Sequence, residues 1–249
     1  MTIAEAFKKN IDRLDTERLL LHVLDKKESS WLYAHSEEAL TSDQEKQFLD
    51  AVTKRKKGIP LAYILGFSEF YGRRFKVTPD VLIPRPETEE LVTAAIEAIQ
   101  ALYGQLQRPL RVIDVGTGSG CIAITLSLEC AEMLETTYAT DTSEAALAVA
   151  RSNASINNAQ KVTFMPGDLL ASVDPAEVDL IISNPPYVAS TEVDAAYHSP
   201  TPETIGLQFE PRQALDGGAD GQDIINRLIK LNRPLLLEAT GGVIQKFNF

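Results

Sequence analysis

The sequence has little of the residues that build disulfides and metal centres. Its 249 residues include 2 cysteines and 3 histidines. Cys121 and Cys130 fall in one apolar segment of helical character, so we expect buried free thiols and neither a disulfide nor a metal pair. The histidines His22, His35 and His198 are scattered along the chain. This excludes a disulfide-stapled secreted domain, and it predicts no metal site.

The chain also lacks a long apolar run and an excess of basic residues. No run approaches the roughly 20 residues of a membrane-spanning helix, and residues 1–10 have no signal-peptide core, so we expect a cytoplasmic protein without membrane contact. The net charge is −11, and residues 91–249 hold 9 basic against 19 acidic residues. Because binding to nucleic acid relies on a basic surplus, this balance disfavours long duplex DNA and favours a protein or small-molecule partner.

What is present predicts an α/β fold of more than one domain. With 44% hydrophobic residues, the chain can bury one α/β core with a smaller domain beside it. Residues 1–58 have helical periodicity, and Ser42 with Glu45 has the spacing of a capping box. Residues 59–86 read as short strands (61–65, 69–71 and 74–77), which predicts a β-hairpin linker. Residues 87–249 form the predicted main domain.

A glycine-rich turn follows the first strand of the main domain. Residues 110–115 read as a strand with apolar residues at 110, 112, 113 and 115, the glycines Gly116, Gly118 and Gly120 come next, and an apolar helix continues to residue 128. Glycines let a ligand approach the backbone closely, and the helix start presents free N–H groups. The spacing is not that of a dinucleotide fingerprint, and no lysine follows, so a phosphate-binding loop is not expected.

The next two strands also end at residues that suit a ligand site. Strand 136–140 ends at Asp141, whose carboxylate could accept hydrogen bonds from both hydroxyls of a ribose or could merely cap the next helix. Strand 161–165 ends before Asp168 and Leu169. Asp168 could accept from an adenine amino group, with Leu169 packed on the ring, or could be a simple turn residue.

The fourth strand ends in the most specific motif of the chain. The run 178–183 reads as a buried strand, and Pro185 and Pro186 must stop it because proline cannot continue a ladder. Asn184 and Tyr187 flank the prolines and supply an amide and an aromatic face. In an open α/β sheet, ligands bind beyond the carboxyl ends of the strands. We therefore expect a site for a planar, nitrogen-bearing group.

Together these motifs resemble those of a protein family. The motifs at 114–120, Asp141 and 184–187 are similar to those of Rossmann-like S-adenosylmethionine-dependent methyltransferases. The further motifs at 58–66, 82–89 and 210–218 resemble bacterial peptide chain release factor glutamine N5-methyltransferases. The resemblance covers roughly residues 1–235. It implies a Rossmann-like sheet with an N-terminal helical bundle joined by a β-hairpin, S-adenosylmethionine as the cofactor and release factors, through a glutamine in a Gly-Gly-Gln loop, as partners.

The resemblance also implies roles for individual residues. Catalysis would fall to Asn184, Pro185 and Tyr187, with Pro186 completing the substrate site. The cofactor would be bound by Gly116, Thr117, Gly118, Ser119, Gly120, Asp141, Asp168, Leu169 and Asn184. An amide nitrogen is a poor nucleophile, but if the Asn184 oxygen and the Pro185 carbonyl accept its two N–H bonds, its lone pair can face the methyl donor.

Three alternatives stay open. The same tetrapeptide occurs in methyltransferases of adenine N6, where the tyrosine can stack on a flipped base. The acidic main domain and the absence of a basic recognition domain disfavour this function. A sister enzyme methylates a glutamine of a ribosomal protein, but its motif lacks the Pro-Glu-Thr-Glu run at 86–89. A non-catalytic cofactor-binding protein is disfavoured by the intact motifs.

The C-terminal part departs from the family pattern. Enzymes of this type close the sheet with seven strands, whereas we count five, the last at 243–244 after a helix at 220–231. We therefore expect the closing hairpin to be missing and the fifth strand to be an unprotected edge. We expect either lower stability or a contact with another molecule that covers this edge. The chain would be a monomer unless the edge pairs in this way.

Overall fold

The computed structural model describes residues 1–9 and 11–248. The chain divides into two compact units, Met1–Gly66 and Phe67–Phe249. The described residues of the first unit form helices and no β-strand, and the second unit contains a two-stranded and a six-stranded sheet with helices.

The first unit is a small helical bundle, as the sequence predicts. Its helices are α1 (Ile3–Ala6), α2 (Arg13–Leu24), α3 (Ser29–Ala34), α4 (Ser42–Lys56) and α5 (Leu61–Leu65). Apolar side chains from α2, α3 and α4 meet in one fully buried core that includes Leu19, Leu20, Leu32 and Phe48. This unit therefore has a core of its own.

Two local predictions in this region are wrong. Residues 61–65, expected as a strand, form helix α5, because a five-residue apolar run carries too little periodicity to separate the two states. The capping box of α4 is Thr41 with Gln44, and not Ser42 with Glu45. The two patterns overlap in sequence with a shift of one residue, and the structure uses the first.

The second unit begins with the hairpin and continues as an α/β domain. The hairpin pairs β1 (Phe67–Phe70) with β2 (Arg73–Lys76) in antiparallel register. The helices are α6 (Thr88–Leu106), α7 (Cys121–Glu129), α8 (Glu144–Ile156), α9 (Ser190–His198) and α10 (Asp223–Ile229). The strands are β3 (Leu110–Val115), β4 (Leu134–Asp141), β5 (Val162–Pro166), β6 (Leu180–Ser183), β7 (Leu235–Ala239) and β8 (Val243–Phe247).

These six strands form one sheet with the order β5-β4-β3-β6-β7-β8. All neighbours are parallel except β7 and β8, which are antiparallel. Alternate side chains of a strand point to opposite faces of the sheet, and in the central strands both sets are buried. In β6, Leu180 and Ile182 join the core with α6 and α7, whereas Ile181 joins the core with α10. The Rossmann-like α/β fold is thereby confirmed.

The C-terminal prediction needs correction. The fifth strand of the large sheet is β7 at 235–239, and the predicted strand at 243–244 belongs to a sixth strand, β8. β7 lies between β6 and β8, and β8, which contains the predicted strand 243–244, is the last strand in the sheet order, so that strand lies at an edge as expected. The count of five strands was wrong, because the run Leu235–Leu237 lies between the predicted helix at 220–231 and the predicted strand at 243–244, where no element was expected.

Both thiols are buried and free, as expected. Burial raises the pKa of the Cys121 thiol to about 12, so it remains protonated at neutral pH. Within residues 1–9 and 11–248, no helix is long and apolar enough to cross a membrane.

Candidate functional site

A cleft opens at the carboxyl edge of the parallel strands. The segments that follow β3, β4, β5 and β6 form one side of it. Such an edge is where α/β sheets bind ligands. The predicted site residues that line the cleft are Gly116, Gly118, Asp141, Asp168, Leu169, Asn184, Pro185 and Pro186. Four other predicted residues, Thr117, Ser119, Gly120 and Tyr187, are not part of its wall.

The glycines of the turn after β3 serve two different purposes. Gly116 and Gly118 have φ of +73° and +53°, and a Cβ at either position would meet no atom within 4 Å. They present bare backbone to the open cleft, which a ligand can approach closely. A Cβ on Gly120, in contrast, would lie 3.0 Å from Ile124 Cδ1 and 3.1 Å from Ala150 Cβ. Gly120 is therefore required for the packing of α7 against α8.

Asp114, near the end of β3, accepts hydrogen bonds from the turn and from the helix that follows it. Its Oδ2 accepts hydrogen bonds from the Thr117 hydroxyl at 2.6 Å and from the Ala123 N–H at 3.2 Å. The side chain is fully buried, and Oδ1 has no partner among the described residues. Burial raises the pKa of Asp114 to about 7, although the two hydrogen bonds act in the opposite direction.

Asp141, at the end of β4, contacts the glycine turn directly. One carboxylate oxygen accepts from the Gly118 N–H at 2.9 Å, and the other accepts from the Ser143 N–H at 2.8 Å. The cap of α8 is Ser143, whose hydroxyl accepts from the Ala146 N–H. Because each carboxylate oxygen has two lone pairs, Asp141 can still accept bonds from a ligand in the cleft.

The residues after β5 line the opposite end of the cleft. Leu169 contributes an apolar side chain, and Asp168 forms an ion pair with Arg227 of α10 at 2.6 Å. Both partners are about half exposed, so the pair adds little to stability. The Asp168 carboxylate has further acceptor capacity towards the cleft.

The segment 184–187 begins where β6 ends. Asn184 lines the cleft, and its Nδ2 donates to the Thr88 hydroxyl at 2.9 Å. An amide has one donor end and one acceptor end, so this bond leaves the Asn184 oxygen as the group available to a ligand. The Tyr187 ring packs on the core between the sheet and α10, and its hydroxyl donates to Glu238 Oε1 at 3.4 Å. Burial, and then Glu238, raises the pKa of Tyr187.

The backbone of the glycine-rich loop at 216–221 is in close contact with the segment 184–187. A Cβ on Gly217 would lie 2.6 Å from the Pro186 carbonyl oxygen, and one on Gly221 would lie 2.3 Å from the Tyr187 carbonyl oxygen. The loop is also bonded to Val188, which donates to Leu215 O and accepts from the Gly217 N–H. Only glycine permits this approach, so the loop fixes the backbone of the tetrapeptide.

Two chain segments close the cleft from the other side, at 80–82 and 211–214. Glu210 joins them: its carboxylate accepts from the Ile83 N–H at 3.1 Å and from Arg85 at 2.5 Å. Glu210 is only 4% exposed, so its charge is balanced by the arginine in a largely dry setting.

Several of these residues were not identified as site residues from sequence. Glu210, Gly217 and Gly218 belong to a motif that we used only for the resemblance. Thr88 likewise belongs to the motif 82–89, which we used only for the resemblance, and Glu238 gave no signal that separates it from an ordinary strand residue. Their role depends on contacts with residues 96 and 51 positions away in the chain.

Comparison with known proteins follows the two-unit division. Residues 3–66 match the model of the PrmC N-terminal domain, and residues 97–199 match that of the methyltransferase small domain. A release factor glutamine methyltransferase of Koribacter versatilis is 43% identical over 219 residues, which are 87% of this chain and 72% of the relative. The chain belongs to the release factor glutamine methyltransferase family.

Other members of the family agree with this assignment. The enzyme so named in Bacillus cereus is 40% identical over 216 residues, or 86% of this chain and 72% of the relative. That of Xylella fastidiosa is 37% identical over 246 residues, or 99% of this chain and 84% of the relative. The resemblance inferred from the motifs is thereby confirmed.

Proposed function

We propose that this family member transfers a methyl group from S-adenosylmethionine to the side-chain amide nitrogen of a glutamine in a peptide chain release factor. The observation that carries the proposal is the position of Asn184 at the end of β6. Its side-chain oxygen is left available in the cleft wall, next to the backbone surface of Gly116 and Gly118. The names of the relatives support release factors as the substrate.

The cleft fits the cofactor by its donor and acceptor groups. Gly116 and Gly118 leave the space beside their Cα atoms empty, which suits the methionine part of the molecule. Asp141 has acceptor capacity for two ribose hydroxyls, and Asp168 with Leu169 offers a polar and an apolar contact for the adenine. When bound, S-adenosylmethionine supplies an electrophilic methyl group on its sulfonium.

The residues of the tetrapeptide would orient the acceptor nitrogen. The Asn184 oxygen and the Pro185 carbonyl would accept the two N–H bonds of the glutamine amide. Tyr187 does not line the cleft, and its ring would support this segment from the side of the core. The amide lone pair would then face the methyl donor. The rate gain would come from positioning and exclusion of water, with no dedicated base before transfer. We further propose that the protein acts as a monomer unless the sheet edge at β8 pairs with another molecule.

The experiment compares three acceptors with labelled S-adenosylmethionine: a release factor, a ribosomal protein and DNA. We expect label on the release factor, in agreement with the net charge of −11, which disfavours nucleic acid. Label on the ribosomal protein alone would assign the chain to the sister activity. Label on DNA alone would contradict the proposal.

A further inference from the structure

A buried polar group lies directly behind Asn184. Glu238, on β7, is 1% exposed, and Thr88, at the start of α6, is 2% exposed. The pairing of β6 with β7 matches Ser183 with Leu237, so the next residues along the two strands, Asn184 and Glu238, are neighbours. Neither Thr88 nor Glu238 lines the cleft. Both contact the segment 184–187, Thr88 through Asn184 and Glu238 through Tyr187.

Each hydrogen bond within this group has a defined donor and a defined acceptor. Asn184 Nδ2 donates to Thr88 Oγ1 at 2.9 Å, and the Tyr187 hydroxyl donates to Glu238 Oε1 at 3.4 Å. Burial raises the pKa of Glu238. Among the described residues, its Oε1 accepts from Tyr187, and its Oε2 is buried without a hydrogen-bond partner next to Asn184 on the neighbouring strand.

A carboxylate can only accept hydrogen bonds, and this decides the orientation of the amide. If the Asn184 oxygen pointed towards Glu238, two acceptors would face each other in a buried setting at a high energetic cost. The NH₂ end of Asn184 must therefore point inward. The oxygen must point outward, into the cleft.

We propose that Glu238, together with Thr88, is a positioning residue that fixes the side-chain amide of Asn184 with its oxygen facing the substrate. The inference rests on the proposed function, because it assigns the acceptor role to that oxygen. Glu238 also accepts a hydrogen bond from the Tyr187 hydroxyl, so it bonds one residue of the tetrapeptide and is the strand neighbour of another, Asn184.

The main test replaces the two residues separately and together. Thr88→Val removes the hydroxyl with little change in shape, and Glu238→Gln replaces an acceptor by a group that can donate. For each variant we expect kcat on the release factor to fall roughly tenfold to a hundredfold, as small misplacements of a reacting group do. Cofactor affinity should be unchanged, since neither residue lines the cleft. The double variant should be no slower than the slower single one, because both act through one group.

Three control variants separate positioning from stability. Thr88→Ser restores the hydroxyl and should recover most of kcat. Thr93→Val removes an exposed hydroxyl of the same helix, which donates to the backbone carbonyl of Glu89. This variant should leave kcat unchanged. Glu135→Gln removes an exposed carboxylate at the amino end of β4, far along the strand from the cleft. This variant should also leave kcat unchanged.

A second readout does not need the substrate. The side-chain NH₂ of Asn184 has its own proton–nitrogen NMR signal, assigned by its loss in Asn184→Asp. We expect slow hydrogen exchange of this signal in the natural protein and faster exchange in Thr88→Val and Glu238→Gln. If the natural protein methylates no release factor, the proposed function fails, but this signal still decides the positioning role.

The outcomes that overturn the inference are distinct. Unchanged kcat together with unchanged NH₂ exchange in both variants would show that Asn184 is oriented without them. A loss of kcat that only parallels a loss of cofactor affinity and of melting temperature, and that Thr88→Ser does not restore, would make the two residues structural supports.

Discussion

At the scale of single residues, Asp114 shows how strongly burial changes a carboxyl group. Its pKa rises to about 7 from an ordinary value of 3.8, because the fully buried side chain loses its contact with water. The folded protein therefore keeps a proton at a pH where the unfolded chain has released it. The stability gained in this way is complete below pH 3.8 and is lost as the pH rises towards 7.

This gives a prediction for Asp114→Asn, measured by urea unfolding of the ligand-free protein between pH 4 and 7. In the natural protein, the contribution of this group to the free energy of unfolding should fall by up to about 1.4 kcal/mol per pH unit. The variant should lack this slope. Asp220→Asn, at an exposed aspartate of the same unit, is the control for the charge change. An equal slope in Asp114→Asn and the natural protein would contradict the prediction.

Site residues could be predicted from sequence where they follow a strand directly. Asn184 follows the buried apolar run of β6, Asp141 ends the threonine-rich strand β4, and parallel strands bring such ends to one edge. The contacts of Thr88 and Glu238 could not be predicted, because their partners are distant in sequence; Thr88 lies in a motif that indicated the family and not this contact. A hydrogen-bonded group of this kind is visible only once the register of β6 and β7 is known.

At the scale of elements, the loop 216–221 is required for the shape of the tetrapeptide. Gly221→Ala would place a Cβ 2.3 Å from the Tyr187 carbonyl oxygen, a backbone atom that cannot move without moving the segment 184–187. Gly241→Ala is a matched control, because its φ of +78° is close to the +74° of Gly221 and its Cβ would meet nothing within 4 Å.

Both variants should lose roughly 1–2 kcal/mol of stability from left-handed backbone strain. Gly221→Ala should lose more, because the clash adds to the strain, and it alone should reduce methyl transfer. Urea unfolding and the transfer assay measure the two effects. Equal losses of stability and activity in the two variants would show that the loop does not press on the tetrapeptide.

The element predictions succeeded where a run had a clear limit and failed where it had none. The strand expected at 178–183 is stopped by two prolines, and the turn after β3 contains three glycines. Both lie where the sequence predicts them. The short runs 61–65 and 235–237 are apolar without a period, so a helix and a strand cannot be distinguished from sequence. The first was assigned as a strand and is a helix, and the second was missed and is strand β7.

At the scale of the whole molecule, each of the two units has its own apolar core. All residues of the cleft belong to the second unit. The only tryptophan of the sequence, Trp31, lies in the first unit and stacks on His35 at 4.1 Å between ring centroids. Its fluorescence therefore reports on the first unit alone.

We expect two unfolding transitions on heating. S-adenosylhomocysteine, the product form of the cofactor, at about 100 times its Kd should stabilise the second unit by about 2.7 kcal/mol. The transition seen by circular dichroism of the α/β unit should move upward, and that seen by Trp31 fluorescence should not. An equal shift of both transitions would show that the chain unfolds as one cooperative body, against the proposed division into domains.

The central claim is that Asn184 orients a glutamine amide at the cofactor cleft, and peptide mapping by mass spectrometry tests it most directly. A release factor is incubated with S-adenosylmethionine and either the natural protein or Asn184→Ala. We predict one methyl group on a glutamine side chain with the natural protein, and almost none with the variant although it still binds the cofactor. A methyl group on any other residue, or equal methylation by the variant, would contradict the account.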